Sequence, residues 1–325
     1  MQAPPPIPLS QIAPHARELI RQFRDNGAVS FQDVPPDQAR SNYRRGCAAN
    51  GLPCIDLPQV RDHTLSGEHG AALRLREYRS RPGESTPAIL FLHGGGWVVG
   101  DLDTHDTLCR LLAHESAATV FALEYRLAPE HPFPAALHDA ATALRWLAEQ
   151  ADALAIDMTR LGLAGDSAGG NLAAVLANEA SLRPSGCRPC AQALFYPVTD
   201  LRCDTPSYGR ITAGFPLTAA SMHWFRTHYV GPSTALDDPR LSPLLARRLS
   251  SAPLFLLSCG LDPLADDAIA YAARAVEAGA MLEHHHLPDQ PHGILTSAGR
   301  NATGRAMAQR AARFLRAMLH RDASE

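Results

Sequence analysis

From residue 88 onwards, short unbroken apolar runs alternate with longer stretches in which apolar positions recur every three or four residues. The runs are Ala88–Leu92, Thr119–Glu124, Leu161–Ala164, Ala191–Tyr196, Pro253–Ser258 and Leu282–Leu287. Helical periodicity covers Thr104–Ser116, Ala135–Gln150, Ala168–Leu182 and Pro263–Ala278 between them, and Gly299–Leu319 at the end. Strands that are apolar on both faces, alternating with helices, predict a mostly parallel sheet covered on both sides. Ligands of such sheets bind beyond the carboxyl ends of the strands. Upstream, Val60–Ser66 and Ala72–Arg79 also read as strands. In the second, Leu73, Leu75 and Glu77 alternate with their neighbours, so one face is expected to meet solvent.

Two regions break this rhythm. Residues 1–57 place helical patches, Pro14–Asp25 and Asp37–Ala49, between Pro and Gly punctuation. Residues 201–231 form a long insertion that contains Met222-His223-Trp224-Phe225. An insertion of that length between strands usually covers a site. The expected organisation is a catalytic core of 58–200 and 232–325, with 1–57 and 201–231 as a helical cap.

Composition narrows the chemistry. With 46% hydrophobic and 19% charged residues, the 325-residue chain has the ordinary balance of a globular protein, and its net charge of −3 gives no reason to expect nucleic acid. No apolar run is long enough for stable membrane insertion. Met1–Ser10 is proline-rich and lacks the basic flank and apolar core of a secretory signal, so a cytoplasmic location is expected. Lys is absent from the sequence, which removes it as a base or Schiff-base former. The seven Cys are odd in number and scattered, unlike a disulfide framework. Cys187-Arg188-Pro189-Cys190 precedes a strand and has no second pair at zinc-site spacing. His284, His285 and His286 are consecutive in a strand, so they alternate between faces and do not converge; no metal is expected.

One constellation carries chemistry. Gly165-Asp166-Ser167-Ala168-Gly169 lies between an apolar strand and a helix, the context of a nucleophile elbow. His93-Gly94-Gly95-Gly96-Trp97 follows the strand Ala88–Leu92, and its glycines can turn N–H groups towards a developing oxyanion. His93 is expected to orient that loop. A serine hydroxyl needs a base, and His292 stands in Asp289-Gln290-Pro291-His292-Gly293, directly after the last strand. Asp262 follows the preceding strand and is the leading partner for His292. It also reads as the N-cap of a helix with Pro263 at the first position. Asp266 and Asp267 compete for the partner role. They fall within the first turns of that helix, where favourable interaction with its dipole accounts for them. The order Ser167, Asp262, His292 is that of an α/β-hydrolase.

These motifs resemble the bacterial esterases of the hormone-sensitive lipase family, in the version whose elbow reads Gly-Asp-Ser-Ala-Gly. Gly100-Asp101-Leu102-Asp103-Thr104-His105-Asp106, Tyr125-Arg126-Leu127-Ala128-Pro129-Glu130-His131-Pro132-Phe133-Pro134, Tyr196-Pro197 and Asp262-Pro263-Leu264 extend the likeness over about residues 58–320. Glu124 and Ile294 depart from it, where Asp and Phe are common. The resemblance implies an α/β-hydrolase fold with an eight-stranded sheet, an oxyanion hole of Gly95, Gly96 and the Ala168 N–H, and no cofactor. It implies a serine carboxylesterase acting on short-to-medium acyl esters, and allows a homodimer through an edge strand. An amide, formamide or acetyl-group hydrolase on the same scaffold, or a non-catalytic small-molecule receptor, are the alternatives. Trp97, Phe215, Trp224 and Phe225 are candidate pocket walls.

Overall fold

The computed structural model describes residues 6–184, 186–232 and 234–321. Residues 1–5 of the proline-rich start and 322–325 at the end of the second core segment lie outside them. Two helices come first, α1 (Pro14–Asp25) and α2 (Pro36–Asn50). Strands β1 (Gln59–Ser66), β2 (Ala72–Arg79) and β3 (Thr86–Leu92) follow. The chain then alternates: α3 (Asp106–Ser116), β4 (Thr119–Glu124), α4 (Ala135–Glu149), β5 (Ile156–Asp166), α5 (Ala168–Asn178) and β6 (Pro189–Phe195). The insertion carries α6 (Pro206–Arg210) and α7 (Ala219–Tyr229), before β7 (Leu254–Leu261), α8 (Ala265–Glu277), β8 (Leu282–Pro291) and α9 (Ala302–Leu319).

The eight strands form one sheet in the order β1-β2-β4-β3-β5-β6-β7-β8. Only β2 runs against its neighbours, pairing antiparallel with β1 and β4; the remaining pairs are parallel. Strand period decides the two cores. In β3, Ala88, Leu90 and Leu92 enter one core, while Ile89 and Phe91 enter the other. In β7, Leu254 and Leu256 face the first side, and Phe255, Leu257 and Cys259 the second. Helices α4, α5 and α8 cover the first face, and α3 and α9 pack together on the second. The unbroken apolar runs follow from this two-sided burial. The solvent-facing side of β2 is confined to its start, where Leu73 and Leu75 are buried between exposed Ala72 and Arg74.

A third, smaller core joins the N-terminal segment to the insertion. Ile12, Ala16 and Ile20 pack against Ile211, Phe215 and Leu261. Arg24 ties the two further, donating to the Gly214 carbonyl at 3.0 Å and the Ile7 carbonyl at 2.9 Å. Leu261 ends β7, so this small core joins both segments to the carboxyl end of that strand.

Candidate active site

Ser167 caps the junction between β5 and α5 at φ 53°, ψ −117°. A non-glycine residue there costs about 1–3 kcal/mol and persists only where its surroundings hold it. Its N–H donates to the Phe195 carbonyl at 2.9 Å, and its carbonyl accepts from Asn171 at 3.0 Å and Val198 at 3.1 Å. Gly169 makes the turn sterically admissible, since a Cβ at that position would overlap the Leu92 carbonyl.

The sharp turn presents the hydroxyl to a loop from the end of β8. His292 Nε2 lies 3.0 Å from Ser167 Oγ, and His292 Nδ1 lies 2.6 Å from Asp262 Oδ2. Thus Nδ1–H donates to the carboxylate and Nε2 accepts from the serine. Asp262 is fully buried, and its other oxygen accepts the Leu264 N–H at 2.9 Å. The expected N-cap role is corrected: α8 begins at Ala265 with Leu264 as N-cap, so Asp262 closes the turn between β7 and the helix. The competing acids both fall in the first turn of α8, as expected. Asp266 accepts from the Ser207 N–H at 2.8 Å and pairs with Arg210 at 3.1 Å. Asp267 is fully buried with neither carboxylate oxygen hydrogen-bonded, and burial raises its pKa to about 8. It is therefore an acid inside the protein, in the first turn of α8.

The glycine loop faces Ser167 from the end of β3. Gly95 and Gly96 have φ 121° and 57°, and both line the cavity above the serine. A Cβ on Gly95 would overlap the Val99 carbonyl, and one on Gly96 the Phe225 ring. Among the described residues, the N–H groups of Gly95, Gly96 and Ala168 have no acceptor. The loop is held from behind. His93 Nδ1 donates to the Gly94 carbonyl at 2.8 Å, its ring stacks on Tyr125 at 4.2 Å, and Tyr125 donates to the His93 carbonyl at 2.7 Å. Burial, and then the neighbouring His105, lower the His93 pKa to about 4, so the ring is neutral at pH 7.

Asp166 is a site residue that the motif reading did not assign. Its Oδ1 accepts the Gly94 N–H at 2.7 Å and lies 3.0 Å from His105 Nε2. Burial pushes this carboxyl up, but His105 and the Gly94 N–H outweigh that and hold it below its ordinary value. Its place in the elbow and the His105 of the following motif were the available signals.

Over the serine lies a cavity of about 490 Å3, within the usual size of small-molecule pockets. Of the four aromatics expected in its wall, Phe225 lines it and the other three do not. Trp97 is fully buried and stacks flat on Tyr229 at 4.3 Å. Phe215 belongs to the small core beneath Arg24, and Trp224 packs on His228 and Phe225 on the far side of α7. Helices α1 and α2 instead supply Ile20, Phe23, Tyr43 and Cys47.

The same architecture recurs in characterised proteins. A family model described as alpha/beta hydrolase fold matches residues 89–296. An ethyl acetate hydrolase of Pseudomonas putida is 39% identical over 86% of this chain and 89% of its own. The carboxylic ester hydrolase LipN of Mycobacterium tuberculosis is 41% identical over 85% of this chain and 74% of its own. Among solved structures, a Pyrobaculum calidifontis esterase superposes with a TM-score of 0.85 at 33% identity, covering 94% of this chain and 99% of that one. An α/β hydrolase from the Lake Arreo metagenome superposes at 0.88 with 32% identity, covering 95% and 98%. The chain belongs to the α/β-hydrolase-fold esterases of the hormone-sensitive lipase type and is a carboxylic ester hydrolase.

Proposed function

We propose that Ser167 is the nucleophile, His292 the general base and acid, and Asp262 the carboxylate that fixes the His292 tautomer. The observation that carries this reading is the position of His292, with one ring nitrogen on Ser167 Oγ and the other on Asp262. His292 takes the hydroxyl proton as Oγ attacks the ester carbonyl. The N–H groups of Gly95, Gly96 and Ala168 receive the oxyanion, each such donor contributing roughly 3–4 kcal/mol to transition-state stabilisation. The alcohol leaves with the proton from His292. Water, activated by the same base, then releases the acid from the acyl-enzyme. His93 and Asp166 position the glycine loop without touching substrate.

The substrates in this reading are short-to-medium acyl esters. Supporting it are the modest cavity volume, its apolar wall of Phe31, Leu217 and Phe225, and the ethyl acetate hydrolase among the relatives. Residues 1–57 and 201–231 act together as the cap, as their shared core at Ile20 and Phe215 favours. Hydrolysis of p-nitrophenyl butyrate tests the assignment. Ser167→Ala is expected to abolish turnover, and activity within tenfold of the parent enzyme would remove Ser167 from the mechanism.

A further inference from the structure

We propose that Arg300 is a specificity determinant that binds an anionic group, a carboxylate or phosphate, on the alcohol half of the ester. The inference rests on the catalytic reading above, because that reading decides which half of the substrate faces Arg300. The departing alcohol must receive its proton from His292 Nε2. It therefore lies along the wall that the His292 loop continues, through Gly293, Thr296 and Ser297 to Arg300. The apolar wall at Phe31, Leu217 and Phe225 is left for the acyl chain.

Arg300 is the one Lys or Arg side chain in this wall among the described residues. It forms no ion pair with a carboxylate there. Its Nη1 donates to two neutral amides, Gln22 Oε1 at 3.1 Å and Asn50 Oδ1 at 3.3 Å. Gln22 is itself oriented by donating its Nε2 to Glu18 at 2.7 Å, which turns its oxygen to Arg300. Glu18 is itself paired with Arg21 at 2.7 Å. The guanidinium is thus fixed on one side only. Among the described residues, Nε and Nη2 have no hydrogen-bond acceptor. That edge is the bidentate fork that fits a carboxylate or phosphate. Arg126 uses the same edge in this protein, clasping Asp139 through Nε and Nη2 at 2.9 and 2.6 Å. Arg300 is exposed where it lines the cavity, with that edge unfilled.

The test compares the butyrate ester of glycolic acid with the butyrate ester of glycolamide, and the corresponding pair built on 4-hydroxybutyrate. Each pair differs in charge and little else. The quantity read is the ratio of kcat/KM for the acid to that for the amide, divided by the same ratio in a variant, so that intrinsic reactivities cancel. In Arg300→Gln the acid-to-amide ratio itself is expected to fall at least tenfold for one of the spacings, as befits a lost charge-assisted fork. Arg300→Lys should retain part of the preference, and added salt should shrink it in the parent enzyme. A residue that merely held the loop would lower acid and amide esters alike. Equal acid-to-amide ratios, within twofold, in the parent enzyme and in Arg300→Gln overturn the inference. A Ser167→Ala background separates this from the catalytic assignment. There the Kd values of the intact acid and amide esters are measured with and without Arg300, and an unchanged Kd ratio overturns the proposal whichever residues perform the chemistry.

Discussion

Asp166 and Gly94 are joined across the catalytic cleft. The carboxylate one residue before Ser167 accepts the Gly94 N–H at 2.7 Å, so the nucleophile turn and the glycine loop are locked to each other. The same carboxylate faces His105, which anchors the start of α3 beneath them. The spacing between Ser167 and the proposed oxyanion donors thus depends on Asp166, which the proposed mechanism keeps off the substrate. Asp166→Ala is expected to lower kcat by roughly 10–100-fold, less than removal of a full oxyanion donor achieves. KM should change by no more than about threefold, because the interaction at stake strengthens in the transition state. Asp166→Asn keeps an acceptor for Gly94 and should recover part of the loss. Steady-state kinetics on one p-nitrophenyl ester decides this, and a change confined to KM would contradict it.

Asp267 sets the alkaline side of the stability profile. Its folded pKa, about 8, is raised far above the unfolded value near 3.8 by burial first and by Asp200, Asp262 and Asp266 after it, with Thr205 opposing. Between those two values the native state holds a proton that the unfolded chain has released. Stability therefore falls as pH rises from 4 to 8 through this group. Asp267→Asn removes that dependence. Its melting temperature should exceed that of the parent enzyme at pH 8, with the gap closing towards pH 5. A gap that stays constant with pH would refute the assignment.

His93 works in the opposite direction on the acid side. Its pKa falls from 6.5 unfolded to about 4 folded, through burial and then the neighbouring His105. Above pH 6.5 both states are neutral at this ring and it imposes no penalty. As pH drops from 6.5 to 4, the unfolded chain gains a proton that the native ring refuses, and stability declines. His93→Asn, although less stable at pH 7, should show a shallower decline over that window in urea titrations. Parallel declines would count against it.

Phe225 is proposed to limit the acyl side. It lines the cavity, packs on Phe31 at 4.9 Å between ring centres and lies directly over Gly96. Phe225→Ala enlarges that wall and is expected to move the optimum in a p-nitrophenyl ester series to longer acyl chains. Some stability will be lost, on the order of 3–5 kcal/mol for a buried aromatic. An unchanged chain-length profile would place Phe225 outside the acyl path.

Much of this arrangement was legible in residue patterns. Two-sided burial makes strands such as β3 and β7 apolar throughout, and that is why their positions could be read directly. Chain order, together with a strand end, was enough to select Asp262 over Asp266 and Asp267. Side-chain direction was the harder matter. Helical spacing could not tell that Phe225 turns to the cavity while Trp224, one residue earlier, turns away. Nor could it tell that the second acid of α8 points inward beside Asp200 and Asp262 instead of into solvent. The contributions of α1 and α2 depend on contacts with the insertion about 190 residues later, such as Arg24 with Gly214, which no local pattern carries. Asp166 and His105 were visible as motif residues, but their joint hold on Gly94 is a tertiary fact.

In the proposed mechanism Ser167, activated by His292, attacks the ester carbon. Labelling with a fluorophosphonate and mapping the adduct by peptide mass spectrometry tests it most directly. A single adduct on the peptide carrying Ser167, absent in Ser167→Ala and slowed at least a hundredfold in His292→Ala, is the result expected. Stoichiometric labelling elsewhere, or equal labelling of the parent enzyme and Ser167→Ala, would contradict the account.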